Sequence, residues 1–261
     1  MPLPAGYRDR QLSPRLTRSV EAFWTHRATR SGTSLVLPDG RCDIILRYNE
    51  LDNTPPHLVL TGPATRAFAV PENPGDCWLG LRLRPSYGRL LWGERVAQMQ
   101  DKTLRGAEAQ VVLPTLTLPS SPQTPRQLAR LLQQALRQHL GEPKPQHLTE
   151  ALDLLHLTGG RLPVTTLADH LSLSPRQLQR RFVNAVGLSP KIYAQLIQFH
   201  RALRLIRNAG LPLSAAGFEA GYNDQSHMTR AFKQFGGFTP AVLPPNLTLP
   251  QLHVAISDLD V

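Results

Sequence analysis

The residues best placed for chemistry in this chain are suited to reading a base pair, not to breaking a bond. Arg176 and Arg180 stand four apart, flanked by Gln177, Gln179 and Asn184. The stretch 174–187 holds cations and amides and no carboxylate. An Arg fork matches guanine, and a Gln or Asn amide matches adenine, each by two hydrogen bonds in the major groove. The bland alternative is a helical hairpin with a solvated basic face, although such faces usually mix both signs of charge.

The flanking residues define elements that would present this set. Ser174 is a good N-cap and Pro175 suits the first helical position. Leu178, Phe182 and Ala185 repeat at helical spacing and form the opposite, apolar face. Upstream, Thr165 or Thr166 is expected to cap a short helix with Leu167, Ala168 and Leu171 on one face, and Ser172 to Ser174 form the turn. Short helix, tight turn and amide-rich second helix make a helix-turn-helix pattern.

The pattern recurs fifty positions on, which weakens the bland alternative. DQSHMTRAFKQFGG aligns with SPRQLQRRFVNAVG. Asp224 takes the place of Ser174, and Met228 and Phe232 those of Leu178 and Phe182. Ser226 and Arg230 fall where Arg176 and Arg180 stood, with Gln225 and Thr229 beside them. The short first helix of this unit is expected over Ala215 to Ala220, with Gly221 and Tyr222 in its turn. Between the units, Pro190 to Asn208 reads as one long helix with Tyr193, Leu196, Ile197, Leu203 and Ile206 as apolar members. A rigid helix would fix the separation of two readers; successive major-groove segments on one DNA face lie roughly 34 Å apart. Lys191 and Lys233 are expected to meet phosphate.

These residues resemble the AraC/XylS transcriptional regulators. The resemblance runs through Leu167-Ala168, Leu171, Ser174, Leu178, Arg181-Phe182, Gly187, Ser189-Pro190, Tyr193, Arg201-Ala202 and Leu205. It continues through Gly221-Tyr222, Ser226, Arg230, Phe232-Lys233, Gly237 and Thr239-Pro240, and covers about residues 148 to 243. Two positions depart from the family pattern. Ala216-Gly217 stand where Ile-Ala is usual, and Gln198 stands where the linker helix often carries Arg. Gly in a helix interior costs up to ~1 kcal/mol relative to Ala, so the second unit is expected to be the looser reader. Leu37-Pro38-Asp39-Gly40, Asp43, Gly62-Pro63 and Arg84-Pro85 resemble the family's sensory domain more loosely. The resemblance implies a cupin-like barrel that binds a small effector, contacts to promoter DNA and RNA polymerase, and a homodimer.

Composition agrees with a nucleic-acid partner. The 261 residues suffice for two domains, and the formal net charge is +10. Residues 161–243 hold ten Lys/Arg against three Asp/Glu, so most of the excess lies on the double unit. That concentration is the electrostatic footprint of a DNA binder. Met1 to Gly6 lacks the features of a signal peptide, and no apolar run reaches the length of a membrane span. Cys42 and Cys77 are too few for a disulfide framework and read as buried thiols of a cytoplasmic protein. No nucleophile elbow, P-loop, dinucleotide fingerprint or zinc-protease motif is present, so no catalytic residue is assigned. His57 is the only histidine between His26 and His139, so neither a metal site nor a cofactor is expected.

The first half reads as strands. Ser34 to Leu37, Cys42 to Tyr48, His57 to Thr61, Arg66 to Val70 and Asp76 to Arg84 are candidates. The last is the clearest, with Leu79, Leu81 and Leu83 alternating with Trp78, Gly80 and Arg82. Val20, Phe23 and Trp24 are spaced as a short helical face. Tyr48, Trp78 and Arg82 are candidates to line an effector pocket, although such aromatics more often pack. Ser86 to Trp92 and Glu94 to Met99 read as helical, and Arg126 to Leu140 is strongly amphipathic, packing on the barrel or pairing with a second subunit.

The expectation is therefore an α+β multidomain chain. Residues 1–125 form a mostly β cupin-like barrel with flanking helices that senses or dimerises. Residues 126–147 form an amphipathic helix and linker, 148–243 an all-α tandem helix-turn-helix domain, and 244–261 a tail. The expected function is sequence-specific transcription regulation as an activator. Competing functions are ligand-independent or non-specific DNA binding, and a barrel enzyme fused to a DNA reader.

Overall fold

The computed structural model describes residues 6, 8–10, 18–52, 54–120, 123–140, 148–245 and 247–248. The N-terminal part contains β1 (Arg8–Arg10), β2 (Val20–Arg27), β3 (Gly32–Val36), β4 (Asp43–Asn49), β5 (His57–Thr61), β6 (Phe68–Glu72) and β7 (Asp76–Leu83). It continues with α1 (Gly88–Trp92), a 3-10 segment Gly93–Met99, β8 (Thr103–Arg105), α2 (Gly106–Val112) and α3 (Pro125–Leu140). The C-terminal part is helical: α4 (Thr149–Leu157), α5 (Val164–His170), α6 (Pro175–Val186), α7 (Pro190–Arg207), α8 (Leu213–Glu219) and α9 (Gln225–Ala231), then β9 (Leu247–Thr248). No helix among the described residues is long and apolar enough to cross a membrane.

The strands form two sheets, not the closed barrel expected. One has six strands in the order β1-β2-β7-β4-β5-β8, and the other three in the order β6-β3-β9. Side-chain alternation divides the larger sheet between two environments. Cys77, Leu79, Leu81 and Leu83 of β7 join Ile44, Leu46 and Tyr48 of β4 in a core capped by Leu128, Leu132 and Leu136 of α3. Trp78, Arg82, Asp43, Ile45 and Arg47 face the other way, into a cavity closed by Ser34 and Val36 of β3 and Phe68 and Val70 of β6. Gly80 is required by close approach: a Cβ there would fall 2.1 Å from the Trp24 indole on the neighbouring strand.

Several expectations are corrected. Val20, Phe23 and Trp24 lie on a strand, not a helix. The pairing of β2 with β7 shifts register between Val20 and Ala22, so a bulge adds one residue and makes a period of two resemble a period of three or four. Of the two covers left open for the apolar face of α3, Leu128, Leu132 and Leu136 take the first, the chain's own sheet. Neither Thr165 nor Thr166 caps α5, whose N-cap is Pro163 with no side-chain cap bond. The linker at 141–147 and most of the tail lie outside the described residues.

The two parts are packed together. Leu37 of the N-terminal part lies in the core of the helical part, with Leu35 and Ala67 packed against it. The His200 Nε2–H donates to the Pro38 carbonyl at 2.6 Å. The same turn brings Gly40 against Leu188, Tyr193 and Leu196. The chain after the second unit returns to pair β9 with β3 in parallel, Leu247 opposite Leu35.

Candidate nucleic-acid interface

Each helix-turn-helix unit divides its second helix into a buried and an exposed face. In α6, Leu178, Phe182, Ala185 and Val186 are buried, whereas Arg176, Gln177, Gln179, Arg180 and Arg181 are exposed. The helix starts with a complete capping box. Ser174 Oγ accepts from the Gln177 N–H at 3.3 Å, and Gln177 Oε1 accepts from the Ser174 N–H at 2.9 Å. Gln177 is thus held in a structural role. The helix stops at Gly187, whose φ of 83° is left-handed.

In α9, Met228 and Ala231 are buried, and Gln225, Ser226 and Arg230 are exposed. Asp224 Oδ1 accepts from the His227 N–H at 2.6 Å. Thr229 is half-buried and its hydroxyl donates to the Gln225 carbonyl at 2.8 Å, which occupies its proton. After Ala231 the chain makes one π-helical turn, Phe232–Gly236. Phe232 and Phe235 pack on Phe199 of α7 with ring centroids 5.0 and 5.8 Å away. Gln198, where an Arg is common, ties α7 to the second unit by donating to the Gly221 carbonyl at 3.3 Å. Lys191 and Lys233 are exposed.

The starts of α6 and α7 carry cations where those of α2 and α4 carry carboxylates, although α5 and α8 also lack an acidic first turn. A helix N-terminus favours carboxylates, as Glu108 in α2 and Glu150 in α4. The first turns of α6, α7 and α9 hold no acidic residue, and Arg176 and Lys191 stand at the starts of α6 and α7. A cation there is unfavourable for the isolated helix but suited to a polyanion. Arg181 belongs to the same exposed set. It was absent from the reading set inferred from sequence, although its one-residue offset from Arg180 was the available signal.

The candidate effector residues divide between two places. Trp78 and Arg82 line the cavity. Tyr48 lies on the opposite face of β4, within the core against α3. Arg82 is held by Asp39 at 3.1 Å and Asp43 at 3.5 Å, and Trp24 Nε1–H donates to Asp43 at 2.7 Å. Burial pushes the Asp43 carboxyl up to about 6, against the pull of Arg82. Trp24, Arg41, Arg47 and Arg105 also line the cavity. The period-two alternation of β4 would have brought in Arg47, and that of β2 would have brought in Trp24 once its bulge was known.

Two exposed, carboxylate-free helix faces joined by one long helix define a tandem helix-turn-helix domain. Residues 167–243 match the family model described as a helix-turn-helix domain, and residues 10–105 match one described as "Domain of unknown function (DUF6597)". The arabinose operon regulatory protein of Escherichia coli (strain K12) is 26% identical over 110 residues, 41% of this chain and 38% of that protein. The HTH-type transcriptional regulator ArgR of Pseudomonas aeruginosa is 30% identical over 107 residues, 40% of this chain and 32% of that protein. The chain thus covers well under half the length of these relatives. A crystal structure of a transcriptional regulator with an AraC-type DNA-binding domain from Chromobacterium violaceum aligns over 36% of this chain and 86% of its own, at 25% identity and a TM-score of 0.35. Over its helical part the chain is thus similar to proteins named as transcriptional regulators.

Proposed function

We propose that the protein is a sequence-specific DNA-binding regulator of transcription, acting in the cytoplasm as an activator that responds to a small molecule. The observation that carries this is the pair of exposed faces on α6 and α9, both open to solvent while the N-terminal part is docked. In this reading Arg176, Gln179, Arg180 and Arg181 on α6, and Gln225, Ser226 and Arg230 on α9, meet base edges. Gln177 and Thr229 shape their helices, and Lys191 and Lys233 meet phosphate. The cavity in the N-terminal part, with Trp78 and Arg82 on its wall, is the effector site. Its signal passes through the Pro38–Arg41 turn, because Asp39 and Arg41 line the cavity while Gly40 and Pro38 touch α7. RNA polymerase and a second copy of the chain are partners by family resemblance. A barrel enzyme is disfavoured, since the relatives are themselves named as transcriptional regulators.

Competition binding on specific and random duplexes at several salt concentrations tests the assignment. Arg180→Ala is expected to cost about 1–3 kcal/mol on the preferred site and far less on random DNA. Arg230→Ala is expected to act likewise about one helical turn away, with a smaller effect. Lys191→Ala should weaken every sequence alike and flatten the log–log salt dependence by roughly one unit. If Arg180→Ala and Lys191→Ala weakened both duplexes by one common factor, the basic face would be an electrostatic surface and not a reader.

A further inference from the structure

The cavity between the two sheets has a volume of about 150 Å³. An engineered apolar cavity of roughly that size holds one benzene molecule, so the space suits a body of about one ring. Trp24, Ile45, Val59, Phe68, Val70 and Trp78 supply apolar wall on several sides. Gly80 deepens the space for the Trp24 indole to lie on the sheet.

Charge is distributed unevenly around this space. At one side every acidic group has a basic partner. Arg82 lies between Asp39 and Asp43, Arg41 holds Glu21 at 2.5 Å, and His26 meets Glu72 at 2.8 Å. At the β4-β5-β8 edge the balance is positive. Arg47 shares Asp76 at 3.2 Å and lies 5.3 Å from the centroid of the Trp78 ring. Arg105 also lines the cavity, is exposed, and takes part in none of the ion pairs found among the described residues. The registers bring these groups together: Arg47 is opposite His57, and Arg105 is opposite Val59, two residues along the same strand. The field of both guanidiniums is felt at His57, whose pKa is lowered first by burial and then by Arg47 and Arg105.

We propose that the cavity takes a small carboxylate of about one ring's size, its apolar body against Trp24 and Trp78 and its anion at Arg105 beside Arg47. A guanidinium fork donates to both carboxylate oxygens at once. A neutral isostere forfeits that pair, and a cation meets like charge. The proposal rests on reading the N-terminal part as the effector domain, but not on which DNA the helices recognise.

Calorimetric titration of the full chain with phenylacetate, phenylacetamide and phenethylamine tests it, since the three share a ring and differ in charge. Phenylacetate is expected to bind at least about ten-fold tighter than phenylacetamide, and phenethylamine not at all. Arg105→Gln, at an exposed position, should bring the acid-to-amide ratio to within about two-fold. Val70→Phe, which fills the space, should weaken acid and amide together. Equal binding of acid and amide, preference for the amine, no binding of any of the three at millimolar concentration, or an acid preference unchanged in Arg105→Gln would each overturn it. DNA affinity of the same samples reports separately on the reader assignment, so loss of DNA binding alone would sink that reading and leave this one standing.

Discussion

The two helix-turn-helix units share one pattern but are supported differently. The second helix of the first unit, α6, the proposed first reader, has twelve residues, a complete capping box and a left-handed glycine stop. Its C-terminal half packs on the Pro85–Met99 segment of the N-terminal part. A Cβ at Gly187 would lie 2.9 Å from both the Pro63 side chain and the Val96 carbonyl oxygen. Its counterpart α9, the proposed second reader, has seven residues, a single capping bond and a π-helical exit. Its unit reaches the N-terminal part through backbone contacts: the Ala67 N–H donates to the Phe235 carbonyl at 2.7 Å, and β9 pairs with β3. One reader is wedged in place by close packing and the other is tied by hydrogen bonds. Local opening is easier where few buried apolar contacts must be broken, so the docked N-terminal part braces the first reader more firmly.

Gly187→Ala attacks that brace and should give the largest effect. The left-handed backbone costs a non-glycine residue roughly 1–2 kcal/mol, and forcing a methyl into the Val96 contact adds about 1–3 kcal/mol. Urea unfolding is expected to show both parts of this loss. A loss near the lower figure alone would mean that the first unit is not held against Val96, and the contrast between the units would fail.

Acid should loosen the same side of the molecule. His200, which donates to Pro38 across the junction, is pushed down to about 4 chiefly by burial. His156, 3.0 Å from the Tyr193 hydroxyl, is pushed down to about 3 by burial and then by Arg41 and Arg204. Both folded values lie below the ordinary 6.5, so the unfolded chain takes up protons first as pH falls. Stability present above about 6.5 is lost progressively toward pH 4. Asp43 acts in the opposite sense, because its raised value favours the folded state as pH falls below about 6. Two losses against one gain leave a net decrease between pH 6 and 4. Unfolding midpoints at pH 7 and pH 5, with hydrogen exchange of α4 and α7 compared with α9, measure it. Equal protection of all three helices at pH 5 would contradict the assignment to the first side.

Gly217→Ala probes the second unit and should give the smallest change, in the stabilising direction. A Cβ there would lie 3.4 Å from the Met228 sulfur, an ordinary contact. Removing a helix-interior glycine should therefore add up to ~1 kcal/mol. Thermal unfolding that showed a loss would mean that the α8–α9 packing has no room for a methyl. Gly217 would then serve close packing, and the looseness expected of this unit would lose its ground.

The helical half was legible before its structure. The Ser174-Pro175 start, the Leu178 and Phe182 face and the Gly187 stop are local signals, each carried by residues within a few positions of one another. Period two likewise placed His57–Thr61 and the two faces of Asp76–Leu83. Tertiary structure decided what depended on distant partners. The bulge in β2 shifted its pattern, so Val20, Phe23 and Trp24 mimicked a helical face until β7 supplied their register. The Leu face of α3 was equally consistent with its own sheet or another subunit, since amphipathicity names a face and not its cover. That Tyr48 and Trp78 point away from each other followed only from the pairing of β4 with β7. The sequence by itself determined the two helices proposed as readers, because caps, periods and charge act within a single turn. Only the tertiary structure decided that one is wedged and the other tied, because Pro63, Val96 and Ala67 reach them from roughly 90 to 170 positions away in the chain.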